Sequence, residues 1–133
     1  MRSVGFNMPI VTAGLEHRVQ IGVWEGIVTL DELFAANTEL DAIADENGYN
    51  TYVQIIDTKQ LDLLQARWRD LNAVAEQHTR GIAYIVIDGP YFTEVITKLM
   101  RRGSKQRIEK TRTLDDALTR ARQIIAASEP VNV

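Results

Sequence analysis

The chain has 133 residues, 45% of them hydrophobic and 25% charged, with 15 basic against 18 acidic side chains and a formal net charge of −3. That length suits one ordinary globular domain, able to bury roughly two-thirds of its unfolded surface, and zero cysteines exclude a disulfide scaffold, a thiolate zinc site and a cysteine nucleophile. No apolar run approaches the ~18 residues a bilayer span needs, and Met1–Pro9 carries one arginine and no apolar h-region, so the expectation is a soluble cytoplasmic protein forming a single domain over 1–133 with its core at about 8–127.

The opening reads as a β-hairpin. Met8–Thr12 is short and apolar, a turn passes through Ala13, Gly14 and Leu15, and in His17–Trp24 the residues Val19, Ile21 and Val23 alternate with Arg18, Gln20 and Gly22, the period of a half-buried strand. Trp24 falls on the opposite side of that strand, which predicts an exposed, partner-touching aromatic. Thr29-Leu30-Asp31-Glu32 has the spacing of a capping box, so a helix begins there. Leu30, Leu33, Phe34, Leu40, Ile43 and Ala44 share one face of it, and Gly48 supplies a left-handed terminus. Asn37 interrupts that apolar stripe with Asp41 one turn on; a buried amide there needs partners, unless the helix rolls to bring both to water.

Thr51–Asp57 is a β-branched and aromatic run of strand length. From about Leu61 to Gln77, Leu61, Leu64, Trp68, Leu71 and Ala75 fall at helical spacing and predict a second helix. Ile82–Asp88 shows almost no alternation, which marks a strand covered on both faces. Pro90 suits the first turn of a third helix carrying Phe92, Val95, Ile96, Leu99 and Met100 and ending at Gly103. A weaker strand, Arg107–Thr111, precedes a last helix capped by Thr113, with Asp115 and Asp116 at the favourable end of its dipole. The predicted class is α/β: a mixed, mainly parallel sheet of four to five strands with an N-terminal hairpin and four helices.

Several segments together resemble the STAS-like (SpoIIAA-like) group: Gly22-Val-Trp-Glu-Gly26, Thr29-Leu-Asp-Glu-Leu33, Ile55-Ile-Asp57, Ile82–Asp88 and Thr113-Leu-Asp-Asp-Ala117. That group unites anti-sigma-factor antagonists, STAS domains and uncharacterised bacterial relatives, and is akin to CRAL-TRIO lipid-binding domains. The resemblance spans roughly residues 16 to 127 and rests on element order and apolar spacing. It implies a non-catalytic binding module, sometimes dimeric. The antagonists carry a phosphorylated serine in an Asp-Ser-Ser-Gly-type segment after the strand matching Thr51–Asp57. Here that stretch is Asp57-Thr-Lys-Gln-Leu-Asp-Leu63, without Ser or Gly, and Thr58 is its nearest hydroxyl.

Candidate chemistry is sparse. Asp57 and Asp88 each end an apolar strand, and ligands of open α/β sheets bind outside the strands' carboxyl ends, so the two carboxylates either share a crevice able to hold Mg²⁺ or simply cap the turns that follow. Residues 98–112 hold Lys98, Arg101, Arg102, Lys105, Arg107, Lys110 and Arg112 against Glu109 alone, whereas residues 1–97 hold 6 basic and 14 acidic groups. Such a cationic strip binds phosphates, an acidic partner surface or anionic lipid heads, or else complements a helix C-terminus and protects an edge strand. Nucleic acid is disfavoured by the acidic balance and by the lack of aromatics among those cations. His17 and His78 read as solvated structural residues without a metal cluster. Trp24, Phe34, Tyr52, Trp68, Tyr84, Tyr91 and Phe92 either line an apolar pocket or belong to the core.

The resulting expectation is a non-enzymatic regulatory or adaptor module that binds a protein partner or a small amphipathic ligand, with no cofactor. Asp57, Thr58, Asp88, Lys98, Arg101, Arg102 and Lys105 form its candidate working surface. The alternative is a small enzyme using the paired carboxylates, with Mg²⁺. A homodimer through the Arg107–Thr111 edge or an exposed helix face is a further expectation.

Overall fold

The computed structural model describes residues 9–67, 70, 73–74, 78, 80–89 and 107–129. Strand β1 (Ile10–Glu16) turns at His17-Arg18 into β2 (Val19–Thr29), which runs without a loop into helix α1 (Leu30–Asn47). Strands β3 (Tyr52–Gln65), β4 (Gly81–Ile87) and β5 (Ile108–Thr111) follow, and helix α2 (Leu114–Ser128) closes the described chain. The five strands lie in the spatial order β1-β2-β3-β4-β5, with β1 antiparallel to β2 and every later pair parallel. The mixed, mainly parallel sheet after an opening hairpin thus matches expectation, with two helices rather than four among the described residues.

Both helices start where their caps predict. The Glu32 carboxylate accepts from the Thr29 amide and from the Thr29 hydroxyl, each at 2.8 Å, and the Thr113 hydroxyl accepts from the Asp116 amide at 3.1 Å. Gly48 ends α1 at φ 77°, its amide donating to the carbonyls of Ala44 and Asp45, a left-handed position that suits glycine.

Three expectations are corrected. The hairpin turn lies at His17-Arg18 rather than Ala13–Leu15: Glu16 pairs with Val19, and Arg18 takes φ 59°. Its guanidinium offsets that strain by donating to the Thr51 carbonyl at 3.0 Å and the Thr51 hydroxyl at 2.8 Å. The helix expected from Leu61 does not begin there, because β3 continues to Gln65. Between Val23 and Glu25, β2 advances two residues while β3 advances three, from Asp57 to Gln60; β3 gains another between Leu61 and Leu63. Each extra residue is a bulge, and the second turns a strand period of two into the Leu61, Leu64 spacing of three that imitates a helix. Beyond Gln65, Asp70, Ala73 and Val74 are helical; Trp68, Leu71 and Ala75 lie outside the described residues, as does the whole helix expected from Pro90 to Gly103.

The third correction concerns Trp24, which is 5% exposed. It does point away from Ile21 and Val23, yet that side of β2 is covered by α1. The core accordingly has two layers. On the α2 side, Val19, Ile21, Val53, Ile55, Ala83 and Ile85 pack against Ala117, Ala121, Ile124 and Ile125. On the α1 side, Trp24, Val28, Ile56, Leu61, Leu64 and Val86 meet Leu33 and Ala36. Strand β4 is buried on both faces, its Ala83, Ile85, Val86 and Ile87 fully so, as its unbroken apolar run requires.

Candidate functional site

The α1 side of the sheet is incompletely filled. A cavity of about 50 Å³ lies between α1 and the sheet, walled by apolar groups including Trp24, Leu33, Ile56 and Tyr84, with Asn37 and Gln54 as its polar members. Its volume is several times the roughly 10–15 Å³ that one water needs. Beside it, a recess of about 160 Å³ is bounded by Phe34, Thr38, Asp41 and His78. Asn37 and Val74 belong to the walls of both. The apolar chamber and the polar recess therefore adjoin.

Gln54 reaches the chamber because β3 alternates: Val53 and Ile55 pack on the α2 side, leaving Gln54 and Ile56 toward α1. It is 4% exposed, and its Oε1 has no hydrogen-bond partner among the described residues. Buried carbonyl oxygens are nearly always paired, and leaving one unpaired costs about 1–3 kcal/mol. The other buried glutamine shows the ordinary outcome. Gln20 donates to the Leu40 carbonyl at 2.7 Å and accepts from the Tyr49 hydroxyl at 2.7 Å.

The recess is backed by a network joining α1, β3 and β4. The Tyr52 hydroxyl donates to Asp41 Oδ1 at 2.7 Å, His78 Nε2 lies 3.2 Å from the same oxygen and also contacts the Tyr52 hydroxyl, and His78 Nδ1 meets the Tyr84 hydroxyl at 2.9 Å. One arrangement satisfies these contacts: a neutral imidazole donating through Nε2–H and accepting at Nδ1 from Tyr84. Burial lowers the His78 pKa below its ordinary value, with Asp41 opposing and Arg80 reinforcing the shift. Burial likewise raises Tyr52 and Tyr84 far above the usual phenol range, helped by Asp41. Arg80 braces the outer side, donating to Asp45 Oδ1 at 2.9 Å and to the carbonyls of Asn50, Tyr49 and Asp41.

His78 is thus 4% exposed rather than solvated, a correction of the expectation. Its surroundings come from α1, β3 and β4, so sequence spacing alone conceals them. The legible signal was Asn37 and Asp41 four apart within an otherwise apolar helix stripe, which requires buried polar partners.

The sequence-derived site residues are placed as follows. Asp57 pairs in register with Ile87; its Oδ1 accepts from the Lys59 amide at 3.0 Å, and Lys59 Nζ lies 3.8 Å from Oδ2. Asp88, one residue past β4, donates its amide to the Thr111 carbonyl at 2.8 Å. The two are out of phase in the pleat: Asp57 follows Ile55 of the α2 side, whereas Asp88 follows Val86 of the α1 side. Thr58 is fully buried, its hydroxyl donating to the Ile87 carbonyl at 2.9 Å. Gly89 explains how the chain leaves β4, since a Cβ there would stand 2.3 Å from the Thr58 carbonyl oxygen. Lys98, Arg101, Arg102 and Lys105 lie outside the described residues. Of the same strip, Arg107 pairs with Glu109 at 2.7 Å, and Arg120 reaches Glu109 from α2 at 2.6 Å; these cations, Arg120 foremost, hold the Glu109 carboxyl below its ordinary range. Among the described residues no three His, Asp or Glu side chains form a group able to hold a metal ion, and no helix is long and apolar enough to cross a membrane.

No family model matches the chain, and no curated protein matches it. Among solved structures, an uncharacterized protein of the DUF3478 family from Shewanella loihica PV-4, with a SpoIIAA-like fold, is similar over 90% of this chain and 99% of its own, at 17% identity and a TM-score of 0.60. Identity that low speaks for architecture alone. The hairpin, the parallel continuation, the helices on opposite faces and this likeness agree: the chain has a SpoIIAA-like fold.

Proposed function

We propose that the protein is a regulatory or adaptor module that acts by binding, and that its ligand is a small amphipathic molecule seated between α1 and the sheet. One observation carries the reading: the apolar chamber beside Trp24 and Ile56 shares Asn37 and Val74 with the polar recess at Asp41 and His78. Ligand sites are concave, mostly apolar and furnished with a few placed polar groups, and this cavity has that composition. The SpoIIAA-like fold, shared with the Shewanella loihica protein, supports a binding role, since the characterised proteins the sequence resembles are regulatory modules.

Native mass spectrometry of the protein purified from its own cells tests the idea. A retained small molecule that is displaced on denaturation is the expected result. The partner measurement uses Ala36→Leu, which extends side-chain atoms from a 6%-exposed position into the chamber. The variant should melt as a folded protein and lose the retained molecule. Equal retention by Ala36→Leu and the native chain would place the ligand elsewhere and sink the proposal.

A further inference from the structure

We infer that the chamber selects a ligand whose apolar body carries a hydrogen-bond donor, a hydroxyl or an N–H, and that Gln54 Oε1 is the acceptor for it. The inference rests on the binding role proposed above and names the chemistry of that ligand. Gln54 is 96% buried, being 4% exposed, lines the chamber and has an Oε1 without a partner among the described residues.

Why would a sheet interior hold an amide at this point? The neighbouring buried polar groups are all tied: Gln20 to Leu40 and Tyr49, Thr58 to the Ile87 carbonyl, His78 to Asp41, Tyr52 and Tyr84. Among the described residues, Gln54 is the buried one that faces an unfilled space with an unpaired acceptor. A hydrocarbon entering that space desolvates Oε1 without compensating it. A ligand hydroxyl or N–H completes the bond in a low-dielectric setting, where such a pairing discriminates strongly against the analogue lacking the donor. Asn37, half-buried on the opposing α1 wall, offers a second amide to the same volume.

Phenol and toluene are the matched probes, of nearly equal shape and differing by one donor; a ring needs a cavity of about 150 Å³, so each occupies the chamber of about 50 Å³ together with the adjoining recess of about 160 Å³. Each is titrated into the full chain, with affinity read from amide and indole resonances and Trp24 reporting occupancy of the chamber. The same titrations are run on Gln54→Met and, in case that longer side chain fills the space, on Gln54→Leu. The ratio of ratios removes the intrinsic difference in hydrophobicity between the probes. The expected result is a phenol-over-toluene preference that drops about tenfold, or about 1.4 kcal/mol, when Gln54 is replaced. Binding of both probes at Trp24 with the preference unchanged in both variants would overturn the role of Gln54 and leave the ligand-binding reading standing. If neither probe moves the Trp24 resonance, both readings are overturned together, and Gln54 Oε1 is then left to solvent water.

Discussion

The two faces of the sheet are built to different standards. Facing α2, the buried residues of β2, β3 and β4 are aliphatic among the described residues and meet alanines and isoleucines of the helix. Facing α1, the same strands present Trp24, Gln20, Gln54 and Tyr84, a cavity remains, and a histidine sits among carboxylate and phenols. Since interiors close-pack by default, the difference teaches that the α2 face is an aliphatic layer while α1 covers an unfilled space, the one the proposed ligand would take. That division is open to direct attack.

The largest effect is expected on the filled face. Ile85 is fully buried there, and Ile85→Ala removes three carbons from a layer with nowhere to collapse, costing about 2–5 kcal/mol. Urea unfolding measures it. A cost under 1 kcal/mol would show that the α2 layer is as loosely packed as its opposite.

On the α1 face one substitution should act in the other direction. Gln54→Met keeps the length of the side chain, removes the orphan acceptor and adds a flexible apolar group beside an existing void. It should raise unfolding stability by about 1–3 kcal/mol, the cost of a buried unpaired polar atom. Such gains commonly accompany the loss of a functional group. Destabilisation by this change would mean that Gln54 already spends its hydrogen-bonding capacity on structure.

What the sequence disclosed follows the same division. The α2 face was legible because aliphatic strands and a capped helix carry their instructions locally: the unbroken run from Ile82 announces burial on both sides, and Thr113 announces the helix that covers one of them. Legibility fails where tertiary context overrides local pattern. The polar alternates of β2, Gln20 among them, read as solvent-facing, yet Gln20 is fully buried with its amide bonded to α1 and Tyr49; the same misreading exposed Trp24. A bulge at Asp62 disguised the end of β3 as a helix. The candidate site suffered most. Asp41, Gln54 and His78 are separated by 13 and 24 residues along the chain, and nothing in their local sequence reports that one helix, one strand and one strand entry bring them to the walls of two adjoining cavities.

The smallest expected effect is also the most selective, because it depends on a titrating group found on one face only. His78 is buried and neutral, its pKa lowered from 6.5 chiefly by desolvation. The unfolded chain takes up a proton near pH 6.5 that the folded chain refuses until its own lower pKa is reached. Stability from this group is therefore complete above pH 6.5 and declines as pH falls below it, by no more than about 1.4 kcal/mol per pH unit for one proton. Glu109 is also lowered, by Arg120 and Arg107, but its contribution is lost only below the carboxylate range near 4.5, so pH 5 to 6.5 isolates the histidine. Urea midpoints across that interval should fall with pH in the native chain and stay level in His78→Gln. Ile85→Ala should displace the whole curve downward without changing its shape, since Ile85 packs among aliphatic side chains and its replacement removes no titrating group. A pH slope that survives in His78→Gln would relocate the sensitivity away from the recess, and with it the claim that the α1 face differs from the α2 face in chemistry as well as in packing.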